Sequence, residues 1–314
     1  MPLGGWLTRL HGSVSHRSMA ITDVPTAASP TASEHPVREI KTRRVKFGYE
    51  RSEVRKYFAA GDPVMSHVVS TLSAMFPPGE DFFVRAVRNY RDTVTDPAMK
   101  KAVAGFIGQE AIHGREHRDL NELFGSLGYP TVAYERFIER ALKFQERVTP
   151  KSRRLAVTAA LEHYTATLAE VLMGDEEARN KLDPPVRNLL LWHALEESEH
   201  KAVAFDVYRN AGLSDLQRRI VMRVTTVGFV GLATVMTLIS VALDGGSWRH
   251  PVRTLKSLAN IRRSPWLSKR VRRLIGDYQR PDFHPDDHES DQLLEHWRGE
   301  LFGADGTLTD RLAG

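Results

Sequence analysis

Residues 106–117, FIGQEAIHGREH, and residues 192–206, WHALEESEHKAVAFD, decide the fold. Residues three or four apart on a helix share a face, so Glu110 projects with His113 and Glu197 with His200. His117 lies seven residues beyond Glu110, on the same stripe, and His193 lies four before Glu197. The two segments are therefore mirrored: Glu-x-x-His followed by His, and His followed by Glu-x-x-His. A single Glu-x-x-His is a weak signal because chance supplies it often. Two copies on separate helices are a strong one when two further helices each bring a Glu, and here those are Glu80 in FPPGEDFF (76–83) and Glu162 in LEHY (161–164). This is the ligand inventory of a di-metal carboxylate site inside a four-helix bundle. Phe106, Ile107, Leu161, Leu190, Leu191, Trp192 and Leu195 crowd the motifs, so several of the acidic and imidazole groups should point inward.

The donor types fit that chemistry. Four carboxylates cancel the charge of two divalent ions, and a neutral site is one that an apolar core tolerates. One imidazole per metal leaves positions open for oxygen or water. His with carboxylate suits iron or manganese, with zinc as a further option. The chain has no cysteine, which removes disulfides, Fe–S clusters, thiolate zinc sites and thiol nucleophiles together. It also lacks a Gly-rich phosphate loop, a Gly-x-Ser-x-Gly elbow and a His-Glu-x-x-His motif.

Outward from these motifs, the 314 residues read as all-α. Phe76-Pro77-Pro78-Gly79 reads as a helix stop followed by a new start at Glu80. Thr95-Asp96-Pro97 caps a helix over about 98–124, and others follow over about 131–148, 151–173 and 184–211, with Gly212 ending the last. No stretch alternates as a strand would. Residues 1–38, rich in Ser, Thr, Ala, Pro and His, read as a disordered arm. Its first 22 residues carry Arg9 and Arg17 without an acid, faintly like a transit peptide or an extended start ahead of Met19, and contain no apolar secretory core. The expected organisation is this arm, a metal-binding bundle over 39–215, a hydrophobic helix over 216–246, and a basic then acidic region over 247–314.

Residues 224–243, VTTVGFVGLATVMTLISVAL, carry no charge. As a helix they would reach about 30 Å, the thickness of a hydrocarbon core. The readings are a membrane-embedded segment, spanning or re-entrant, and a buried helix of a large bundle. The net charge of +5 is concentrated just beyond: Trp248 to Arg280 holds ten Lys/Arg against one acid, Asp277. Such a segment suits anionic lipid, and Trp248, Trp266 and Trp297 in or near it suit an interface. A whole-surface nucleic-acid footprint is a poor reading of so local an excess.

The four motifs together resemble the bacterial family of predicted metal-dependent hydrolases, within the ferritin-like di-iron superfamily. The resemblance covers about residues 39–285 and implies a ferritin-like bundle. It implies Glu80, Glu110, His113, Glu162, Glu197 and His200 as metal ligands. His117 and His193 exceed these six and resemble the extra histidine of di-iron arylamine oxygenases, as additional ligands or as hydrogen-bond donors behind them. Asp206 could hydrogen-bond a ligand histidine, and His163 is a weaker candidate for a supporting role. Glu196 and Glu199 are turned away from the ligand stripe, and His284-Pro-Asp-Asp-His288 reads as an exposed loop.

The leading functional expectation is a di-iron oxidase or oxygenase acting on a lipid-like or apolar substrate, with O2 as co-substrate and an external electron donor. A two-metal hydrolase is the alternative, and a ferroxidase or iron-binding protein the third reading. The expected location is cytoplasmic, against the inner face of the membrane. Oligomeric state is not legible in the residues.

Overall fold

The computed structural model describes residues 35–313, which form an all-α fold. Apart from residues 35–38, the N-terminal arm lies outside the described residues. In chain order the helices are α1 (Pro63–Arg88), α2 (Pro97–Ser126), α3 (Thr131–Val148), α4 (Lys151–Gly174), α5 (Glu176–Asn180), α6 (Pro184–His200), α7 (Val203–Asn210), α8 (Asp215–Leu243), α9 (Gly245–Arg249), α10 (Pro251–Asn260), α11 (Lys269–Asp277) and α12 (Asp291–Phe302). Among the described residues pairing of β type is limited to two isolated bridges, Val45 with Leu312 and Ala59 with Leu182.

Start signals written in the sequence set the helix entries. Asp62 and Asp96 each accept a bond from the backbone N–H three residues on, Met65 at 2.8 Å and Met99 at 2.7 Å, and each precedes a proline at the first helical position. The four helices that carry the acidic and imidazole motifs, α1, α2, α4 and α6, pack together, with α3 along α1.

Two helix boundaries differ from the sequence expectation. Pro77 and Pro78 lie inside α1 and do not divide it. Proline at 77 deprives the Ser73 carbonyl of its helical donor, but Asn121 Nδ2 on α2 donates to that carbonyl at 3.1 Å. The neighbouring helix thus replaces the missing bond, and Glu80 rides on the same rod as Ser73. The second difference is at the other end of the site. The helix expected over 184–211 ends at His200 and resumes at Val203. The step holds Lys201, a buried cation whose Nζ donates to Ser290 Oγ at 3.1 Å and to the His288 carbonyl.

Residues 39–50 cross the bundle without helix and bury Val45 and Phe47, and Phe58 is buried just beyond. Glycines in α2 permit the approach. A Cβ on Gly105 would sit 2.7 Å from Ile40, and one on Gly108 would sit 2.4 Å from Thr42 Oγ1.

α8 is neither a buried core helix nor a detached rod. Its inner side docks along its length. Arg218, fully buried, lies against the Phe205 and Tyr278 rings; Phe229 meets Tyr164 of α4; the Tyr134 hydroxyl of α3 donates to the Met236 carbonyl at 2.6 Å; and Ser240 Oγ is 2.7 Å from His67 Nδ1 of α1. Its outer side leaves Val224, Val227, Val235 and Leu243 exposed.

Candidate metal centre

All eight of Glu80, Glu110, His113, His117, Glu162, His193, Glu197 and His200 converge in the bundle interior, and none is more than 3% exposed. His200 Nε2 lies 3.0 Å from Glu110 Oε1, 3.3 Å from Glu162 Oε2 and 3.5 Å from Glu197 Oε1. His113 Nδ1 lies 3.5 Å from Glu197 Oε1. Donor atoms fall within 4.8 Å of one another in overlapping groups: Glu80, Glu110 and His113; Glu110, Glu197 and His200; His113, His193 and Glu197. A fourth such group, Glu80, His117 and His193, overlaps these, so Glu80, Glu110, His113, His193 and Glu197 each belong to two.

Hydrogen bonding tests whether cations fit. Both oxygens of Glu80, Glu110 and Glu162, Glu197 Oε2, His113 Nδ1 and His200 Nε2 are buried and make no hydrogen bond. Buried polar atoms are rarely left so, and nine of them facing one space form a donor set that divalent cations satisfy. With no cation, charge has to be balanced by protons. Burial and the neighbouring Glu110 push Glu80 well above the usual carboxylate range, and burial beside Glu110 and Glu197 pushes Glu162 up to about 8. Burial opposes a charge on His113, but its bond to Glu196 and the nearby Glu197 and Glu110 carboxylates outweigh this and raise it to about 10. Burial likewise opposes ionisation of Glu197, yet His200, His193 and His113 hold it well below its ordinary value.

Each of the two central histidines is held from behind. His113 Nε2 donates to Glu196 Oε2 at 3.0 Å, leaving Nδ1 bare toward the cluster. His200 Nδ1 donates to Gln109 Oε1 at 2.8 Å, leaving Nε2 bare. Gln109 Nε2 in turn donates to Glu199 Oε2 at 3.1 Å. Arg43 binds both glutamates, at 3.0 Å from Glu196 Oε1 and 2.7 Å from Glu199 Oε2, and Arg298 Nε adds a bond to Glu199 at 2.8 Å. Such outer carboxylates fix ring orientation and raise imidazole basicity. Glu196 and Glu199 do turn away from the ligand stripe, as their spacing implies, but they turn into this network. Arg43 and Gln109 carry no motif signal, and only a register for residues 39–58 could have found Arg43.

The outer pair, His117 and His193, has its hydrogens fixed by the same accounting. Asn121 donates through Nδ2 to the Ser73 carbonyl, so its Oδ1 accepts from Ser73 Oγ at 2.8 Å. His117 Nδ1 must then donate to Ser73 Oγ at 2.9 Å, and His117 Nε2 must accept from His193 Nδ1 at 2.6 Å. His193 Nε2 is left without hydrogen, 2.9 Å from Glu197 Oε1 and 3.8 Å from Glu80 Oε1. Two lone pairs cannot face each other at that distance without a proton or a cation between them. Phe76 packs on both rings, at 4.7 Å from His117 and 4.6 Å from His193.

Two residues singled out in the sequence sit elsewhere. His163 Nε2 donates to the Leu274 carbonyl at 2.9 Å and packs with Tyr278 and Phe283, fastening α11 to α4. Asp206 Oδ1 pairs at 2.9 Å with His284 Nε2 and not with a cluster histidine. The 284–288 segment is accordingly packed and not an exposed loop: His284 stacks on His35, and His288 lies 3.3 Å from Asp277.

Helices converging four glutamates and four imidazoles on the buried interior define a helical protein with a donor set suited to metal. The chain belongs to the family described as predicted metal-dependent hydrolases, whose profile matches residues 41–289. No curated protein and no solved structure matches it.

Proposed function

We propose that this chain is a two-cation hydrolase. Glu80, Glu110, Glu162, Glu197, His113 and His200 would hold the cations. Divalent ions held there would lower the pKa of water and polarise a scissile carbonyl. What supports the hydrolytic reading within the family is His193, an imidazole at the edge of the cluster whose Nε2 lies 2.9 Å from Glu197 Oε1. His193 accepts the proton that water gives up, while its Nδ1–H bond to His117 lets charge spread toward Ser73. A positioned base of this kind contributes about 10²–10⁴-fold. The substrate class we infer is acyl or otherwise apolar. It is supported by the exposed apolar side of α8, whose inner side lies on α4, the helix of Glu162.

Oxidation by O2 with an external electron donor is the second reading. One observation favours it: four carboxylates in the donor set weaken two divalent ions as Lewis acids and suit iron.

Metal analysis with kinetics separates the two. The hydrolytic reading expects two cations per chain and chelator-sensitive cleavage of acyl esters. Glu110→Ala and His200→Ala should lose cations. His193→Gln should keep them and lose at least 100-fold in turnover. Iron that consumes O2 on reduction, with no ester cleaved, would replace this reading by the second. Full cation content in both Glu110→Ala and His200→Ala would remove the ligand assignment altogether.

A further inference from the structure

The outer side of α8 is an apolar stripe the length of the helix, about 43 Å at 1.5 Å per residue. Leu216, Ile220, Val227, Val235 and Leu238 repeat along it at helical spacing, and Val227 is 75% exposed. Exposed Arg223 interrupts the stripe between Ile220 and Val227, but from Val224 to Leu243, about 30 Å of helix, it carries no charge, more than a soluble monomer ordinarily leaves in water. It continues past the end of α8 through Trp248, 69% exposed, to Val252 and Leu255 on α10, each 65% exposed. It also has a flank: Phe137, Phe144 and Val148 of α3 are exposed and share the side of that helix from which Tyr134 reaches α8.

Cations are interleaved at the C-terminal end of the stripe. Arg249, Arg253 and Lys256 line an open groove of about 780 Å³ between α10 and the start of α1. Among the described residues no acid pairs with Arg249, Lys256, Arg262 or Arg263. α8 itself has one acid, Asp215, already engaged by Arg218 and Arg219. A second copy paired stripe to stripe would offer from its α8 only Asp215, already engaged, whereas phospholipid headgroups would bring phosphate to those cations. Nucleic acid would meet the cations but leave the apolar stripe in water. A span is also disfavoured, because the inner side of α8 is committed to α1, α3 and α4 and ends at Asp244, which binds Lys56 Nζ at 2.6 Å.

We propose that α8, α9 and α10 form a peripheral docking face that lies in the plane of an anionic bilayer. The outer stripe and Trp248 enter the acyl region, and the Arg249–Lys256 groove receives lipid phosphate. Apolar area and cation count contribute together in such binding. The inference stands on this surface alone and does not depend on the metal centre.

The test is co-sedimentation of the full chain with vesicles of phosphatidylcholine, alone or with one third phosphatidylglycerol. Binding is expected to the anionic vesicles and to fall at high salt, with release by alkaline carbonate. Val227→Glu with Leu238→Glu should weaken binding at least tenfold, and Arg249→Glu with Lys256→Glu should abolish the preference for anionic lipid. All four positions are on the surface, so thermal midpoints should stay at the wild-type value. Absence of vesicle binding overturns the proposal. So does a wild-type dimer that Val227→Glu turns into a monomer, retention of single-stranded DNA in place of vesicles, or resistance to carbonate extraction, the mark of a span.

Discussion

At the scale of single residues, the site stores protons where it would otherwise hold cations. His113, raised to about 10, and Glu162, raised to about 8, both carry a proton at pH 7 in the cation-free protein. Cation uptake has to expel them. Affinity should therefore rise steeply between pH 6 and pH 8, and titration calorimetry in two buffers of different ionisation enthalpy should report protons released. The cation-free protein should respond in the opposite direction. Folded-state values above the unfolded ones mean that the folded chain binds more protons, so its stability is present at low pH and is lost as pH rises through them. Its thermal midpoint in chelator should fall between pH 7 and pH 10, while the cation-loaded protein holds its midpoint. A flat midpoint in chelator would mean that these groups do not carry the charge. The ligand-type residues were legible because Glu-x-x-His is a local pattern with a helical period. Glu196, Gln109 and Arg43 were not, because what makes them matter is a contact from another element. The same holds for His163, which stands beside Glu162 in sequence yet faces α11.

At the scale of elements, glycine in α2 is a packing device. Alanine is normally the better helix former by about 1 kcal/mol. At Gly105 the added Cβ would meet the backbone oxygen and side chain of Ile40, both at 2.7 Å. Overpacking of this kind costs about 1–3 kcal/mol, so Gly105→Ala should lower the thermal midpoint despite its helix propensity. A rise would mean that residues 39–47 can lift away without loss. The same crossing segment has no helical period to announce it, yet Val45 and Phe47 reach the core and Phe47 N–H donates to buried Glu116 at 2.9 Å. The long helices were readable from caps and period. The Pro77-Pro78 pair misled because the helix runs through it, with the carbonyl of Ser73, freed by Pro77, taken up by Asn121, far away in sequence.

At the scale of the whole molecule, Asp244 ties the end of α8 to the start of the bundle. Buried, it accepts from Lys56, from the Tyr57 hydroxyl at 2.6 Å and from Ser247 Oγ at 2.8 Å. Burial opposes its charge, but these donors hold its carboxyl well below the usual range. Asp244→Ala should cost about 2 kcal/mol, a fall of several degrees in thermal midpoint, and should weaken vesicle binding by loosening α9 and α10. The all-α class and the apolar segment were plain in the sequence. The docking of that segment lengthwise on the bundle was not, because hydropathy records composition and says nothing about which side of a helix finds partners. Arg43 has a longer reach than its single charge suggests. It comes from chain that precedes every ligand-bearing helix, yet it pairs with both Glu196 and Glu199 on the last of them. A polypeptide begun after residue 50 would keep every ligand yet leave Glu196 without its guanidinium and Glu199 with Arg298 alone. Competence of the centre therefore depends on a stretch of chain that supplies none of its ligands.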